Sequence, residues 1–158
     1  MAEGDADPTR VVADADVLAA DLLVGGAARE ALDHVREHSW MTLVASDPLI
    51  ADAVAVVTDL ADADLAADWR ERVDREREAV EHPPGDHPGL ASAYRGRGAH
   101  LLTYDEGLGS AGANLSLQPH FRVSVREPDA FARLFDPASL YEATHDGTYS
   151  GPDRDPRK

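Results

Sequence analysis

The stretch Arg10-Val11-Val12-Ala13-Asp14-Ala15-Asp16-Val17-Leu18 decides the fold. Its first part, residues 10–13, is apolar after the arginine and predicts a short buried strand that ends at Asp14. Three similar runs predict further strands over residues 40–45, 100–103 and 121–125. Unbroken apolar strands that alternate with helices are typical of a parallel sheet covered on both faces. The sequence therefore predicts an α/β protein with three layers, α/β/α, and a central parallel sheet of about four strands.

Helical periodicity and capping residues separate most of these strands. They predict helices over residues 18–24, 27–38, 48–60, 64–81, 88–94 and 128–135. A chain of 158 residues suits one compact domain. We expect a disordered N-terminus over residues 1–9, the domain over 10–140, and a disordered polar tail over 141–158, because that last segment contains little to bury.

The chain contains more acidic than basic residues, and almost all of its basic residues are arginines. Thirty acidic residues against fifteen basic ones give a formal net charge of −15, Asp outnumbers Glu by twenty to ten, and the only lysine is Lys158. Surplus carboxylates and few lysines keep a protein soluble in concentrated salt, because carboxylates are strongly hydrated. We therefore predict a halophilic source, specifically a haloarchaeal one.

The composition also excludes several kinds of chemistry. The absence of cysteine removes disulfides, thiolate metal sites and cysteine nucleophiles. A single lysine at the last position disfavours Schiff-base catalysis and a P-loop. No window approaches the ~18 apolar residues of a membrane span, and residues 1–8 do not resemble a signal peptide. We therefore expect a cytoplasmic protein with no membrane partner.

Four acidic residues fall where a parallel sheet would gather them. Asp14 and Asp105 each follow a predicted strand, Asp52 lies one turn into a helix, and Asp86 precedes a helix. Strand carboxyl ends and helix amino ends share one edge of such a sheet, where ligands bind. A divalent cation, Mg²⁺ or Mn²⁺, would compensate the repulsion between the carboxylates. With twenty Asp residues in the chain, chance placement and simple helix capping by Asp86 are equally open on this pattern.

Five segments, in the same order, resemble motifs of PIN-domain nucleases. Residues 11–18 resemble the opening strand with its Asp, and the Ser-Asp-Pro-Leu-Ile-Ala-Asp segment at 46–52 resembles the second motif. Asp86, with Leu90, Ala93 and Gly98, is similar to the third motif. The segment Leu-Leu-Thr-Tyr-Asp at 101–105 resembles the one that carries the fourth acid. Residues 123–131 resemble the closing strand and helix.

This resemblance implies a parallel sheet flanked by helices and metal-dependent cleavage of RNA. It implies that Asp14, Asp86 and Asp105 bind Mg²⁺ or Mn²⁺ and that Asp52 assists catalysis. Thr103 would support the last acid, and Asp16 and Ser46 would be supporting residues of the site. The chain departs from the family pattern at Asp52, where Glu is usual, at Asp16, where a neutral polar residue is usual, and in the unusual proline-rich setting of Asp86.

Three further patterns compete for a role. The Gly-x-Gly-x-x-Gly segment at 107–112 lacks the following helix that a dinucleotide site needs. The Asp14-Ala15-Asp16 sequence is also typical of phosphatases of the haloacid-dehalogenase type, but these need a lysine. His34 and His38 have a spacing that could share a metal, although we expect them on a solvated helix face. Arg95 and Arg97 are weak candidates for binding substrate phosphates.

Together these features predict an endoribonuclease that uses Mg²⁺ or Mn²⁺, in RNA processing or as a toxin-type enzyme. RNA would be its substrate, an antitoxin-like protein a possible partner, and a homodimer a possible assembly. The alternative hypothesis is a catalytically silent PIN-like domain that serves as a binding or assembly module. The short Asp52 side chain and the weak basic character motivate this alternative.

Overall fold

A computed structural model describes residues 7–81, 88–105 and 123–156. Its strands are β1 (Asp7–Ala13), β2 (Thr42–Ser46), β3 (Arg77–Val80), β4 (Gly98–Leu102) and β5 (Ser124–Arg126). Its helices are α1 (Ala15–Leu23), α2 (Gly26–Arg36), α3 (Asp47–Leu60), α4 (Ala63–Glu76), α5 (Pro88–Gly96), α6 (Pro128–Leu134) and α7 (Pro137–Thr144). None of the described helices has the length and hydropathy that a membrane crossing requires.

The strands form one parallel sheet in the order β3-β2-β1-β4-β5. The chain builds the sheet outward from β1 to β3 and then returns to add β4 on the other side of β1. Strand β1 is central, and Val11 and Val12 are fully buried because the layers on both faces cover it. The predicted α/β class, with a parallel sheet between helices, is confirmed.

Alternate residues of β2 show how the two faces are covered. Val44 points to α5, where a Cβ added to Gly96 would lie 2.2 Å from a Val44 methyl carbon, so only glycine fits the close approach. Leu43 points to the opposite face and lies against α2 and α4. Strand β2 ends at Ser46, whose hydroxyl caps α3 by accepting the N–H of Leu49 at 3.3 Å.

One strand of the sheet is not predicted by the sequence. We expected one helix over residues 64–81, but α4 ends at Glu76 and the chain continues as β3, so the described residues form five strands rather than about four. The Arg77 guanidinium donates to the Ala45 carbonyl at 2.8 Å and pairs with Asp47 at 2.5 Å. These bonds tie β3 to β2, and the polar sequence suits an edge strand, which needs no apolar alternation.

The C-terminal segment is packed against the domain, whereas we expected a disordered tail over residues 141–158. Helix α7 continues to Thr144, and the Asp153 carboxylate accepts the N–H and the hydroxyl of Ser39. Aromatic packing explains the difference, because Tyr141 contacts Trp40 and Tyr149 contacts both Trp40 and His38. At the other end, β1 already begins at Asp7, so residues 7–9 belong to the sheet. Residues 1–6, 121–122 and 157–158 lie outside the described residues.

A buried hydrogen bond holds this C-terminal segment. His38 is fully buried, and its Nδ1 lies 2.6 Å from the His34 carbonyl oxygen, which can only accept. The proton is therefore on Nδ1, and Nε2 accepts the hydroxyl of Tyr149 at 2.7 Å.

We expect Tyr149→Phe to lower the free energy of unfolding by about 1–3 kcal/mol, because it leaves His38 Nε2 without its donor inside the protein. Urea denaturation in high salt measures this change. Tyr141→Phe is the matched control, since the Tyr141 hydroxyl makes no hydrogen bond in the described part of the chain, and it should cost less than about 0.5 kcal/mol. Equal effects of the two substitutions would contradict the assignment.

Candidate functional site

The carboxyl ends of β1 and β4 meet where the strand order of the sheet reverses. Just beyond β1, the N–H of Asp14 donates to the Leu102 carbonyl at 2.8 Å. Just beyond β4, the N–H of Thr103 donates to the Arg126 carbonyl at 3.0 Å. Open parallel sheets bind their ligands in the crevice at such a reversal. This edge is therefore the candidate site on topology alone.

Thr103 holds the acidic residues of this edge together. Its hydroxyl donates to one carboxylate oxygen of Asp14 at 2.9 Å and accepts the N–H of Asp105 at 3.0 Å. The other oxygen of Asp14 accepts the N–H of Ala15 at 2.9 Å and so caps α1. Asp14 and Thr103 are both buried, so their positions are fixed by packing as well as by hydrogen bonds.

Asp16 adds a third carboxylate in the first turn of α1. One of its oxygens accepts the N–H of Tyr104 at 3.0 Å, while the other is buried without a hydrogen-bond partner in the described part of the chain. Burial, and then the negative charges of Asp14 and Asp105, raise the pKa of Asp16 above its ordinary value. The site therefore holds three carboxylates close enough to interact, one of them incompletely solvated.

The structure does not join Asp52 to this group. It lies in the second turn of α3, its side chain is exposed, and within the described residues it has no hydrogen bond or ion pair with the other acids. Ser46 is fully buried: its hydroxyl caps α3, and its N–H donates to the Ser92 hydroxyl at 3.0 Å. Ser46 thus fixes the start of α3.

The two candidate phosphate-binding arginines lie at the opposite edge of the sheet. Arg95 is in the last turn of α5, and Arg97 immediately precedes β4. The five residues of β4 separate them from Thr103 by roughly 16 Å. In a parallel sheet, helix carboxyl ends and strand amino ends share the edge opposite the strand carboxyl ends, so the order of elements itself separates these arginines from the acids.

Three sequence candidates need separate mention. Asp86 and the glycine-rich segment 107–112 lie outside the described residues. His34 and His38 are not on a solvated face as we expected, since His38 is buried and His34 packs against Phe135 with ring centroids 4.9 Å apart.

Sequence reasoning missed Tyr104. Its side chain is 43% exposed although its N–H is fixed by Asp16, so an aromatic ring borders the acids. Burial and the charge of Asp16 raise the pKa of this tyrosine, which keeps it neutral at ordinary pH. The only signal in the sequence is its place between Thr103 and Asp105, which any residue type could fill.

A family model matches residues 5–157, nearly the whole chain. The chain belongs to the DUF7384 family, which is described as a family of unknown function. No curated protein and no solved structure matches it. The match includes the C-terminal segment that packs on α2, so this segment is part of the family's common unit.

The carboxylates of this edge suit a divalent metal. Carboxylate oxygens are the ligands that Mg²⁺ and Mn²⁺ prefer, and the buried oxygen of Asp16 that lacks a partner is an acceptor that a cation would satisfy. Within residues 7–81, 88–105 and 123–156, no group of three acidic or histidine side chains is arranged to hold a metal ion. The chemistry of the residues therefore fits such an ion, which usually binds one or two carboxylates and keeps several water molecules.

Thr103→Val should lower the free energy of unfolding by about 1–2 kcal/mol, because a methyl group replaces the hydroxyl between Asp14 and Asp105. Thr103→Ser keeps the hydroxyl and should recover most of this loss. Urea titrations of both variants make the comparison. A valine variant as stable as the parent would show that the Thr103 hydroxyl does not stabilise this edge.

Asp16→Asn should raise stability at neutral pH by about 1 kcal/mol or less, since the half-buried charge is partly screened by water. The folded-state pKa lies above the unfolded one, so the folded protein gains stability as pH falls through that raised pKa. The advantage of the variant should accordingly disappear at acid pH. Thermal unfolding in EDTA across this pH range measures it, and an advantage independent of pH would contradict the assignment.

Proposed function

We propose that this protein is an endoribonuclease that depends on Mg²⁺ or Mn²⁺, with its site at the carboxyl edge of β1 and β4. The observation that carries the proposal is the pair of hydrogen bonds at the Thr103 hydroxyl, which donates to the Asp14 carboxylate and accepts the N–H of Asp105, at the reversal of strand order. The segments that resemble motifs of PIN-domain nucleases contain these same three residues, Asp14, Thr103 and Asp105.

In this proposal Asp14 and Asp105, with Asp86, hold the metal ion. When bound, the ion would lower the pKa of a water molecule and stabilise the charge that develops on the phosphate during hydrolysis. Thr103 fixes the two strand-end acids before substrate arrives, and Asp52 assists from α3. The exposed ring of Tyr104 would stack on a base of single-stranded RNA.

The charge of the protein bears on this proposal. A net charge of −15 repels RNA over long distances, but at molar salt the Debye length falls to ~3 Å and this repulsion is largely screened. Cleavage in a salt-rich cytoplasm, as an RNA-processing or toxin-type enzyme, is compatible with that charge. A haloarchaeal source, an antitoxin-like partner and a homodimer belong to the same proposal.

A catalytically silent binding module is the second candidate. Two observations favour it: both oxygens of Asp14 accept hydrogen bonds from the protein itself, and Asp52 is exposed without a bond to the other acids within the described residues. A carboxylate that is already satisfied is a weaker metal ligand. In that case the acidic edge would have only a structural role, and RNA would either be bound without cleavage or not be bound.

Cleavage of a labelled RNA pool with Mn²⁺ in molar KCl separates the two candidates. We expect cutting by the parent protein that EDTA abolishes and that Asp105→Asn and Asp14→Asn reduce at least 100-fold. Asp68→Asn is the matched control, since Asp68 is exposed on α4 and the substitution removes the same charge. It should cut like the parent.

Folded parent protein that cuts no RNA with either metal would overturn the enzyme proposal and leave the silent module. Cutting that survives Asp105→Asn would show that the activity does not come from this edge. Circular dichroism of each variant distinguishes a lost site from a lost fold.

A further inference from the structure

A second concave site lies on the helical face of the sheet. It is a cavity of about 440 Å³ between α1, α2, α4 and the C-terminal segment at residues 154–156. Its walls are apolar where they meet the sheet, at Leu18, Leu32, Val35, Met41, Leu43 and Val73. Trp69 of α4 adds an indole ring that is itself 8% exposed. The size and the apolar walls are those of a small-molecule site.

The rim of this cavity is rich in arginine. Four guanidinium groups meet three carboxylates there, in a chain whose net charge is −15. Arg36 is bound to Asp21 through two hydrogen bonds of 2.9 and 2.5 Å, and Arg72 pairs with Glu76 at 3.3 Å. The Arg36–Asp21 pair joins α2 to α1, whereas the Arg72–Glu76 pair lies within α4, and Arg72 also donates to the Pro156 carbonyl at 3.0 Å.

The other two arginines of the rim are free to bind a ligand. Arg75 and Arg154 are exposed, and within the described residues neither guanidinium lies within ion-pair distance of a carboxylate. They stand on different elements, one on α4 and one in the C-terminal segment, yet they line the same cavity. Guanidinium groups bind phosphate and carboxylate through paired hydrogen bonds, so a rim of this kind selects an anion.

This cavity is separate from the acidic edge. Asp14 caps the start of α1, and Asp21 at the cavity lies seven residues further along, about 10 Å along the helix axis. Met41, which lines the cavity, precedes β2 and so lies at the opposite edge of the sheet from Asp14. A ligand here would not touch the acids of the candidate site.

We propose that the cavity binds a small organic anion: a phosphate or carboxylate group carried on a planar aromatic body. Arg75 and Arg154 bind the anionic group at the rim, and the aromatic body lies against Trp69 and the apolar walls. The proposal does not rest on the proposed nuclease function, because it uses other residues and needs no metal.

Isothermal titration calorimetry of the full chain tests it, in EDTA and at the lowest KCl concentration at which the chain stays folded. The probes are AMP, benzoate, adenosine and inorganic phosphate. We expect saturable binding of AMP or benzoate, at least tenfold tighter than that of adenosine or phosphate alone. Binding of AMP alone identifies a phosphate ester as the ligand class, and binding of benzoate alone identifies a carboxylate.

The double variant Arg75→Gln/Arg154→Gln should weaken binding of the anionic probe at least tenfold. Both side chains are exposed, so we expect this variant to fold. Arg133→Gln removes an exposed arginine of α6 away from the cavity and should leave binding unchanged. Asp105→Asn should also bind like the parent, which separates this site from the acidic edge.

Three results would overturn the proposal. The first is absence of saturable binding by both AMP and benzoate. The second is adenosine binding as tightly as AMP when benzoate does not bind, which would mean that the anion is not recognised. The third is unchanged binding in the folded double variant.

Discussion

The hydrogen bond from Thr103 to Asp14 joins the carboxyl ends of the two central strands. Strands β1 and β4 are neighbours in the sheet, although Asp14 and Thr103, which follow their ends, are 89 positions apart in the chain. The strand order reverses at this place, where open parallel sheets bind their ligands, and one buried hydroxyl joins the two strand ends. The capping of α1 by Asp14 and the position of Asp105 depend on the same contact.

The acidic edge gains little stability from its own charges. Asp14, Asp16 and Asp105 repel one another, and burial adds to the cost of keeping Asp16 ionised. Partial compensation comes from the N–H groups of Tyr104 and Val17 and from the amino end of α1, where negative charge is favoured. Such local strain is common at functional sites, where the arrangement is retained for what it binds rather than for stability. A cation would relieve the repulsion, which is why we propose metal-dependent chemistry at this edge.

The sequence predicts the apolar parts of this structure well and its polar parts poorly. The strands around Val12 and Leu101 and the end of β1 at Asp14 follow from local pattern, because a buried central strand must be apolar. Strand β3 does not, because its place at the edge depends on bonds from Arg77 to Ala45 and Asp47 that no local pattern contains. The roles of Thr103 and Tyr104 depend on side-chain geometry between distant segments, which spacing alone cannot supply.

Helix α1 connects two regions of contrasting charge. At its start, Asp14 belongs to the acidic edge. About two turns later, Asp21 is buried and paired with Arg36 beside the arginine-rich cavity. Because fourteen arginines serve a chain with thirty acids, most guanidiniums have carboxylates available as partners. Arg75 and Arg154 line one cavity from separate elements, and within the described residues neither guanidinium lies within ion-pair distance of a carboxylate. An anion would compensate the charge of these two guanidinium groups, just as a cation would compensate the carboxylates at the other end of α1. We therefore propose ligands of opposite charge for the two regions, a cation for the acidic edge and an anion for the arginine-rich cavity.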